Sequence, residues 1–323
     1  VDVRHEQAAA HAADAYARLT GRLGVAVVTA GPGVTDALTG IANAWYANSP
    51  VLLIGGRHLT NEDLRGGLQE MDHPRLFHSI ARWAATASDP GRLPEYVATA
   101  ARHAFAGRGG PTFIDIPWDV QSEMVEETAI VWPEDYRAGH PSAATPESVD
   151  EIAALLAGAE RPVVFGGTGL RWTRQPGFLD GFAAMVDALG APVYLNSLAR
   201  GSLPYGHPFL ANRTRGSALS RADVVLSLGV DWDFRTGFGR KVSPDAKLIH
   251  IDAEAAKVGW NRAADLGIVA DPGTVVVQLA GAAGGFGQTA ARSWTENVFG
   301  EEALKANAAA EAAAADTIPV HPE

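Results

Sequence analysis

The chain has 323 residues, 47% hydrophobic and 20% charged, which is enough for about two domains with sizeable buried cores. A formal charge of −11 argues against nucleic acid and anionic membrane as main partners, because either calls for a basic face. The absence of cysteine excludes disulfides, thiolate nucleophiles, cysteine-based zinc sites and iron–sulfur clusters, and no apolar run approaches the roughly 20 residues of a membrane span.

The chain opens on Val1-Asp2-Val3-Arg4, which reads as part of a strand with Glu6 at its end. No signal peptide is present and a cytoplasmic location is expected, although a chain that does not begin with Met leaves any upstream targeting segment invisible. Residues 7–20 are Ala-rich and stop at Gly21, which predicts a helix with a glycine C-cap. A buried strand follows at residues 25–30, then a tight turn at Gly31-Pro32-Gly33. The next helix places Val34, Leu38, Ile41 and Trp45 on one face, with Tyr46 adjacent to Trp45 on another. Residues 51–54 form a second buried strand, 57–74 a loop-like stretch. A helix then turns Leu93, Tyr96, Val97, Ala100, Ala101 and Ala104 inward, ahead of a strand at 112–116.

Apolar strands alternating with helices predict a parallel sheet covered on both faces. Prolines and mixed charges interrupt the rhythm at residues 121–146, and a second alternation follows, with strands at 162–165, 192–195, 224–228, 248–251 and 268–270. After Gly284-Gly285 comes an Ala/Glu-rich helix at 301–314, and a tail ending Pro319-Val-His-Pro322 reads as a connector. The expected fold class is therefore α/β with two doubly wound parallel-sheet domains. The expected boundaries are 1–125, a linker at 126–146, a second domain at 147–285 and a connector at 286–323.

Several common signatures are missing. There is no G-x-S-x-G elbow and no Walker A. Asp36 stands where Gly31-Pro32-Gly33 would need a glycine for a dinucleotide fingerprint, and Trp172 interrupts Gly166-Gly-Thr-Gly169 in the same way. His58, His73 and His78 lack the spacing of a helical metal site and read as members of a solvated loop. Glu6, before an Ala-rich helix, reads by itself as a first-turn capping acid.

Read together, the motifs point further. Arg4-His5-Glu6-Gln7-Ala8, Gly31-Pro32-Gly33-Val34-Thr35 and Leu68-Gln69-Glu70-Met71-Asp72 are joined by Arg82-Trp83 and Gly110 to Pro117. In the second half come Ala191-Pro-Val193, Ala199-Arg200-Gly201, Gly206-His-Pro208, Ala222 to Leu226, Gly229 and His250-Ile-Asp252. In this order the chain resembles thiamine diphosphate enzymes of the acetolactate synthase, benzaldehyde lyase and 2-hydroxyacyl-CoA lyase group. The resemblance covers their pyrimidine-binding domain, truncated at its start, and their central Rossmann-like domain.

The resemblance implies an enzyme that makes or breaks carbon–carbon bonds next to a carbonyl. Its substrate would be a 2-keto acid or a 2-hydroxyacyl compound. In such enzymes a glutamic acid hydrogen-bonded to N1′ of the aminopyrimidine favours the imino tautomer that deprotonates the thiazolium carbon; an apolar pocket raises its pKa for that task. Glu6 matches it, Gly31, Pro32 and Gly33 match the turn beside the pyrimidine, and Gln69 matches a glutamine facing the reacting carbonyl. Gln69 reads equally as a polar residue of a surface loop. In the second domain Arg200, Gly201, Asp231, Arg235 and Asp252 match positions that meet FAD or ADP, although relatives exist whose central domain holds no nucleotide.

The sequence departs from the biosynthetic pattern at Asp233 to Gly239, where acidic residues are usual, and at Arg82, where Lys is usual. The Gly-Asp-Gly…Asn motif that holds Mg2+ and the diphosphate is absent, so the magnesium ligands would lie outside this chain and the chain alone would be inactive. A homodimer or homotetramer is implied, consistent with the apolar surface at Trp45 and Tyr46. A noncatalytic nucleotide-binding or scaffold protein is the alternative of another class.

Overall fold

The computed structural model describes residues 1–137, 139–282, 286 and 288–314. The chain divides into two units, Val1–Gly139 and His140–Glu323. Gly284, Gly285 and the closing Pro319 to Pro322 lie outside the described residues. Among the described residues no helix is long and apolar enough to cross a membrane.

In the first unit the Ala-rich run forms α1 (Glu6–Thr20), closed by Gly21 at φ 68°, whose N–H returns to the Ala17 carbonyl. Then come β1 (Gly24–Val28), α2 (Pro32–Ala47), β2 (Val51–Arg57), α3 (His73–Leu76), β3 (Trp83–Thr86), α4 (Leu93–Phe105), β4 (Thr112–Pro117) and α5 (Trp118–Ser122). The four strands are parallel in the order β1-β2-β4-β3. One face packs on α1 and α2 through Ala26, Val28, Leu53 and Phe113, the other on α4 through Leu52 and Ile114.

Three expectations change here. Val1–Arg4 is not a strand: an extended segment needs a hydrogen-bonded neighbour, and no described backbone pairs with it. The buried stripe of α2 runs through Val34, Ala37, Gly40, Ile41 and Ala44, with Leu38 and Trp45 only half-buried. Helix α1 crosses so close that a Cβ on Gly40 would lie 2.5 Å from the Ala10 Cβ, so small residues, not large ones, face the contact. On α4, Val97 is exposed and Ala98 takes a core place.

The second unit runs α6 (Pro146–Ala157), β5 (Pro162–Gly166), α7 (Thr168–Arg171), α8 (Phe178–Leu189), β6 (Val193–Leu195), α9 (Arg215–Arg221), β7 (Val224–Leu228), β8 (Lys247–Asp252), β9 (Leu266–Val269), α10 (Pro272–Ala282) and α11 (Gln288–Ala314). Its five strands are parallel in the order β6-β5-β7-β8-β9. Alternate strand residues feed two cores. Leu226 and Ile249 pack with α6, α8 and α10; Val225 and Leu248 pack with α9 and with Trp294 and Val298 of α11. The sheet is doubly wound.

Residues read from sequence as the start of a connector thus contribute to the second core. Glu302 adds a polar clasp: its carboxylate accepts the N–H groups of Asn212, Arg213 and Thr214 at 2.9–3.0 Å and the Thr214 hydroxyl at 2.8 Å. Burial pushes the Glu302 carboxyl up, but these hydrogen bonds outweigh it and hold it below the usual glutamate range.

Candidate cofactor site

Helices α1 and α2 bring Glu6 to the Gly-Pro-Gly turn. Asp36, on the second turn of α2, accepts the N–H of Gln7 at 3.1 Å and pairs with His5 Nδ1 at 2.7 Å, so it latches the residues on both sides of Glu6. A Cβ on Gly33 would lie 3.0 Å from Glu6 Oε1 and 2.6 Å from Thr29 Cγ2; only glycine lets the carboxyl lie against the start of α2. Glu6 is half-buried in this chain, not enclosed in the apolar pocket the sequence reading calls for, because it stands at the exposed start of its helix.

Gly31 caps α2 at φ 58° and ψ −110°, a conformation restricted to glycine. A Cβ there would also meet the Gln69 Cβ at 2.7 Å. The turn therefore stands between Glu6 and Gln69, and the structure brings together four residues spread over 64 positions of sequence, from Glu6 to Gln69. Gln69 itself is exposed and left-handed at φ 58°. Its loop is organised by Glu70, whose carboxylate accepts the N–H groups of Leu64 at 2.5 Å, Gly66 at 2.8 Å and Gly67 at 3.1 Å. The Leu64 hydrogen bond, with those of Gly66 and Gly67, holds the Glu70 carboxyl below the usual range.

Sequence reasoning missed the residues beneath the turn. His73 and His58 are buried, not solvated, while His78 is exposed as expected. His73 stays buried because both ring nitrogens are engaged: Nε2 accepts the Gly31 N–H at 3.0 Å, and Nδ1 lies 3.0 Å from Asp115 Oδ2. Asp115, two residues before the end of β4, has the Arg57 guanidinium of β2 at 3.5 Å. His58 lies under the same loop with Nε2 2.7 Å from Asp63, which Arg57 also binds at 2.8 Å. Hydrogen bonds from Arg57 and then His58 lower the Asp63 carboxyl.

A cleft of about 550 Å3 opens at the carboxyl ends of β1, β2 and β4, lined by Val27, Ile54, Leu68, Gln69, Ile116 and Trp118 among others. Open α/β sheets bind ligands at this end.

Among the described residues the one group with metal-ligand spacing is His58, Asp63 and Glu70. It does not fit magnesium, which takes oxygen donors with near-octahedral geometry. Glu70 already receives three backbone N–H groups, Asp63 is neutralised by Arg57, and an imidazole is the third member.

In the second unit the backbone crosses itself at the strand ends: a Cβ on Gly167 would lie 2.5 Å from the Gly229 carbonyl oxygen. The loop after β7 carries Asp231 and Arg235. Arg235 binds Asp233 at 2.6 Å, reaches Ser197 Oγ at 2.5 Å and lies 3.8 Å from Asp231, which Lys257 also meets at 2.9 Å. Asp252 is fully buried at the end of β8 and accepts the Glu254 N–H at 2.9 Å. Arg200 and Gly201 are exposed. Arg215, not singled out by sequence, joins this cluster. Its guanidinium is lowered first by burial and then by the neighbouring charges of Arg200 and Arg235.

The class is thus set as a pair of doubly wound parallel-sheet α/β units, the first carrying a glutamate held against a Gly-Pro-Gly turn. Residues 1–76 match the family model "Thiamine pyrophosphate enzyme, N-terminal TPP binding domain", and residues 149–279 match "Thiamine pyrophosphate enzyme, central domain". The chain belongs to the thiamine pyrophosphate enzyme family.

It is similar to a probable acetolactate synthase of Mycobacterium bovis, 33% identical over 328 residues, covering 100% of this chain and 57% of that protein. It is similar to 2-hydroxyacyl-CoA lyase 2 of Homo sapiens, 33% identical over 336 residues, covering 92% of this chain and 52% of the relative. A probable acetolactate synthase large subunit of Methanocaldococcus jannaschii is 33% identical over 307 residues, covering 92% of this chain and 51% of its own length. The chain spans about half the length of these relatives.

Proposed function

We propose that this chain supplies the pyrimidine-binding and central domains of a thiamine diphosphate-dependent enzyme that makes or breaks carbon–carbon bonds next to a carbonyl, most like acetolactate synthase. The juxtaposition of Glu6, the Gly31-Pro32-Gly33 turn and Gln69 carries this reading. When bound, the cofactor supplies an electron sink for such bonds. Glu6 holds a proton toward the aminopyrimidine N1′, Gly31 and Gly33 keep the turn free of side chains, and Gln69 orients the reacting carbonyl. Magnesium and the diphosphate would be held by residues other than those of this chain. A cytoplasmic homodimer or homotetramer fits the reading; Tyr46, 82% exposed on α2, is an apolar group suited to such a contact.

A second reading, cleavage of 2-hydroxyacyl-CoA or 2-hydroxyketone substrates, is favoured by the cleft itself. Its lining is largely apolar, and its one guanidinium, Arg57, is already engaged by Asp63 and Asp115, so a substrate carboxylate would have to compete for it. The full-length protein with thiamine diphosphate and magnesium decides between them. The leading reading expects carbon dioxide from a 2-keto acid, the second an aldehyde from a 2-hydroxyacyl-CoA. Neither product would defeat both.

The central domain is proposed to bind an adenine nucleotide without redox use. Arg200, Arg215 and Arg235 bring three cations toward one loop cluster; Arg235 is already paired with Asp233, so a phosphate would draw mainly on Arg200 and Arg215. Gly201, Asp231 and Asp252 complete the candidate contacts. Mass spectrometry of the supernatant from denatured protein should recover ADP from colourless material, whereas FAD would colour the protein yellow. Recovery of neither, with no thermal shift from either, would contradict nucleotide binding.

A further inference from the structure

We propose that His73 is a positioning residue: a neutral imidazole, fixed by Asp115 in the tautomer protonated on Nδ1, that holds the Gly31-Pro32-Gly33 turn in place between Glu6 and Gln69. The hydrogen bonds determine the tautomer. Nε2 receives the Gly31 N–H at 3.0 Å and so carries no proton, which leaves Nδ1 as the donor to Asp115 Oδ2 at 3.0 Å. His73 and Asp115 are both completely buried, so water does not replace either partner cheaply. Arg57, 3.5 Å from Asp115, keeps a counter-charge beside the carboxylate.

The position matters because the turn depends on one backbone geometry. Gly31 has φ 58° and ψ −110°, which glycine adopts freely but among several alternatives, so an anchor is needed to select it. Its N–H is the polar handle that His73 grips. The same histidine begins α3 four residues after Gln69, so one anchor sets the turn and the loop that faces it. Without it, the separation between the Glu6 carboxyl and the Gln69 side chain would no longer be fixed. His73 is not one of the residues that line the cleft; it acts through Gly31.

Nitrogen-15 NMR of this chain, which needs no cofactor, tests the tautomer. The expected spectrum shows His73 with a protonated Nδ1 and an unprotonated Nε2; protonation on Nε2 would overturn the proposal. Amide exchange tests the grip. His73→Phe removes the acceptor and should accelerate exchange at Gly31 about 10- to 100-fold, as for a buried donor left without a partner. His73→Gln, whose side-chain oxygen can accept, should restore most of the protection. Asp115→Asn, whose amide can donate a hydrogen bond to the ring as well as accept one from it, releases the tautomer and should expose Gly31 again. Unchanged Gly31 exchange in a folded His73→Phe protein overturns the grip; should that variant not fold, wild type and His73→Gln decide it.

The consequence for the site rests on the proposed function. In the full-length protein, His73→Phe should slow exchange at the thiazolium carbon about 10-fold or more, with rescue by His73→Gln and little change in KM for the substrate. Glu6→Gln run in parallel separates the two ideas. If it leaves cofactor exchange unchanged, the function fails while the Gly31 data still judge His73.

Discussion

Replacing Glu6 by Gln should slow proton exchange at the thiazolium carbon of bound thiamine diphosphate by about 100- to 10,000-fold, the range lost with a positioned acid or base. The substitution keeps shape and replaces an ionisable carboxyl by a neutral amide that cannot pass a proton. Glu6 begins α1 and lies against Gly33, at a place where any added atom on the glycine would collide with its carboxyl. The capping alternative predicts something different. A first-turn acid contributes about 0.3–1 kcal/mol through the helix dipole, so its loss would lower stability slightly and leave exchange alone. Hydrogen–deuterium exchange followed by NMR of acid-quenched samples, with a denaturation curve on the same variant, separates the two. Exchange at the normal rate in Glu6→Gln would remove the assignment.

Trp232→Ala should destabilise the second unit by about 3–5 kcal/mol, the usual cost of deleting a large buried aromatic side chain. Trp232 is fully buried, packs edge-on against Phe165 at 5.6 Å and His250 at 6.4 Å, and its carbonyl accepts the Asn261 side chain at 3.0 Å. Trp232→Phe should cost much less. Among the described residues the buried indole Nε1 has no hydrogen-bond partner, so phenylalanine removes a donor unsatisfied by them along with part of the volume. Because the chain has two units, the loss should fall on one transition in urea and leave the other in place. A loss below about 1 kcal/mol for Trp232→Ala would mean the loop carrying Asp231 and Arg235 is held by something else.

Apolar runs announced most of the strands. Val51 to Ile54 is apolar throughout and Val224 to Leu228 apolar but for Ser227 because both sheet faces are covered, and they are strands. Trp83–Thr86 escaped notice as a strand since it lies at the sheet edge, half-buried throughout, and contributes only four residues. The stripe of α2 was misjudged for a different reason. Periodicity ranks residues by size, whereas the close crossing of α1 and α2 selects Ala37, Gly40 and Ala44.

At the site, Glu6, Gly31, Gly33 and Gln69 were legible as a pattern, and their proximity was not. The histidines show the limit most clearly. His73 in a run with Asp72 and Pro74 looks solvated, and only the fold that brings Asp115 of β4 beneath it reveals its buried partner. Arg215 was equally silent, because nothing near it in sequence indicates that Arg200 and Arg235 come close to it.

The most direct test of the central claim is a crystal structure of the full-length protein with thiamine diphosphate bound. The account predicts a Glu6 carboxyl oxygen within about 3 Å of N1′ of the aminopyrimidine, the range of a hydrogen bond, with the ring beside Gly31 and Gly33 and the Gln69 side chain toward the thiazolium carbon. An aminopyrimidine seated elsewhere, with Glu6 facing only solvent or its own helix, would contradict it.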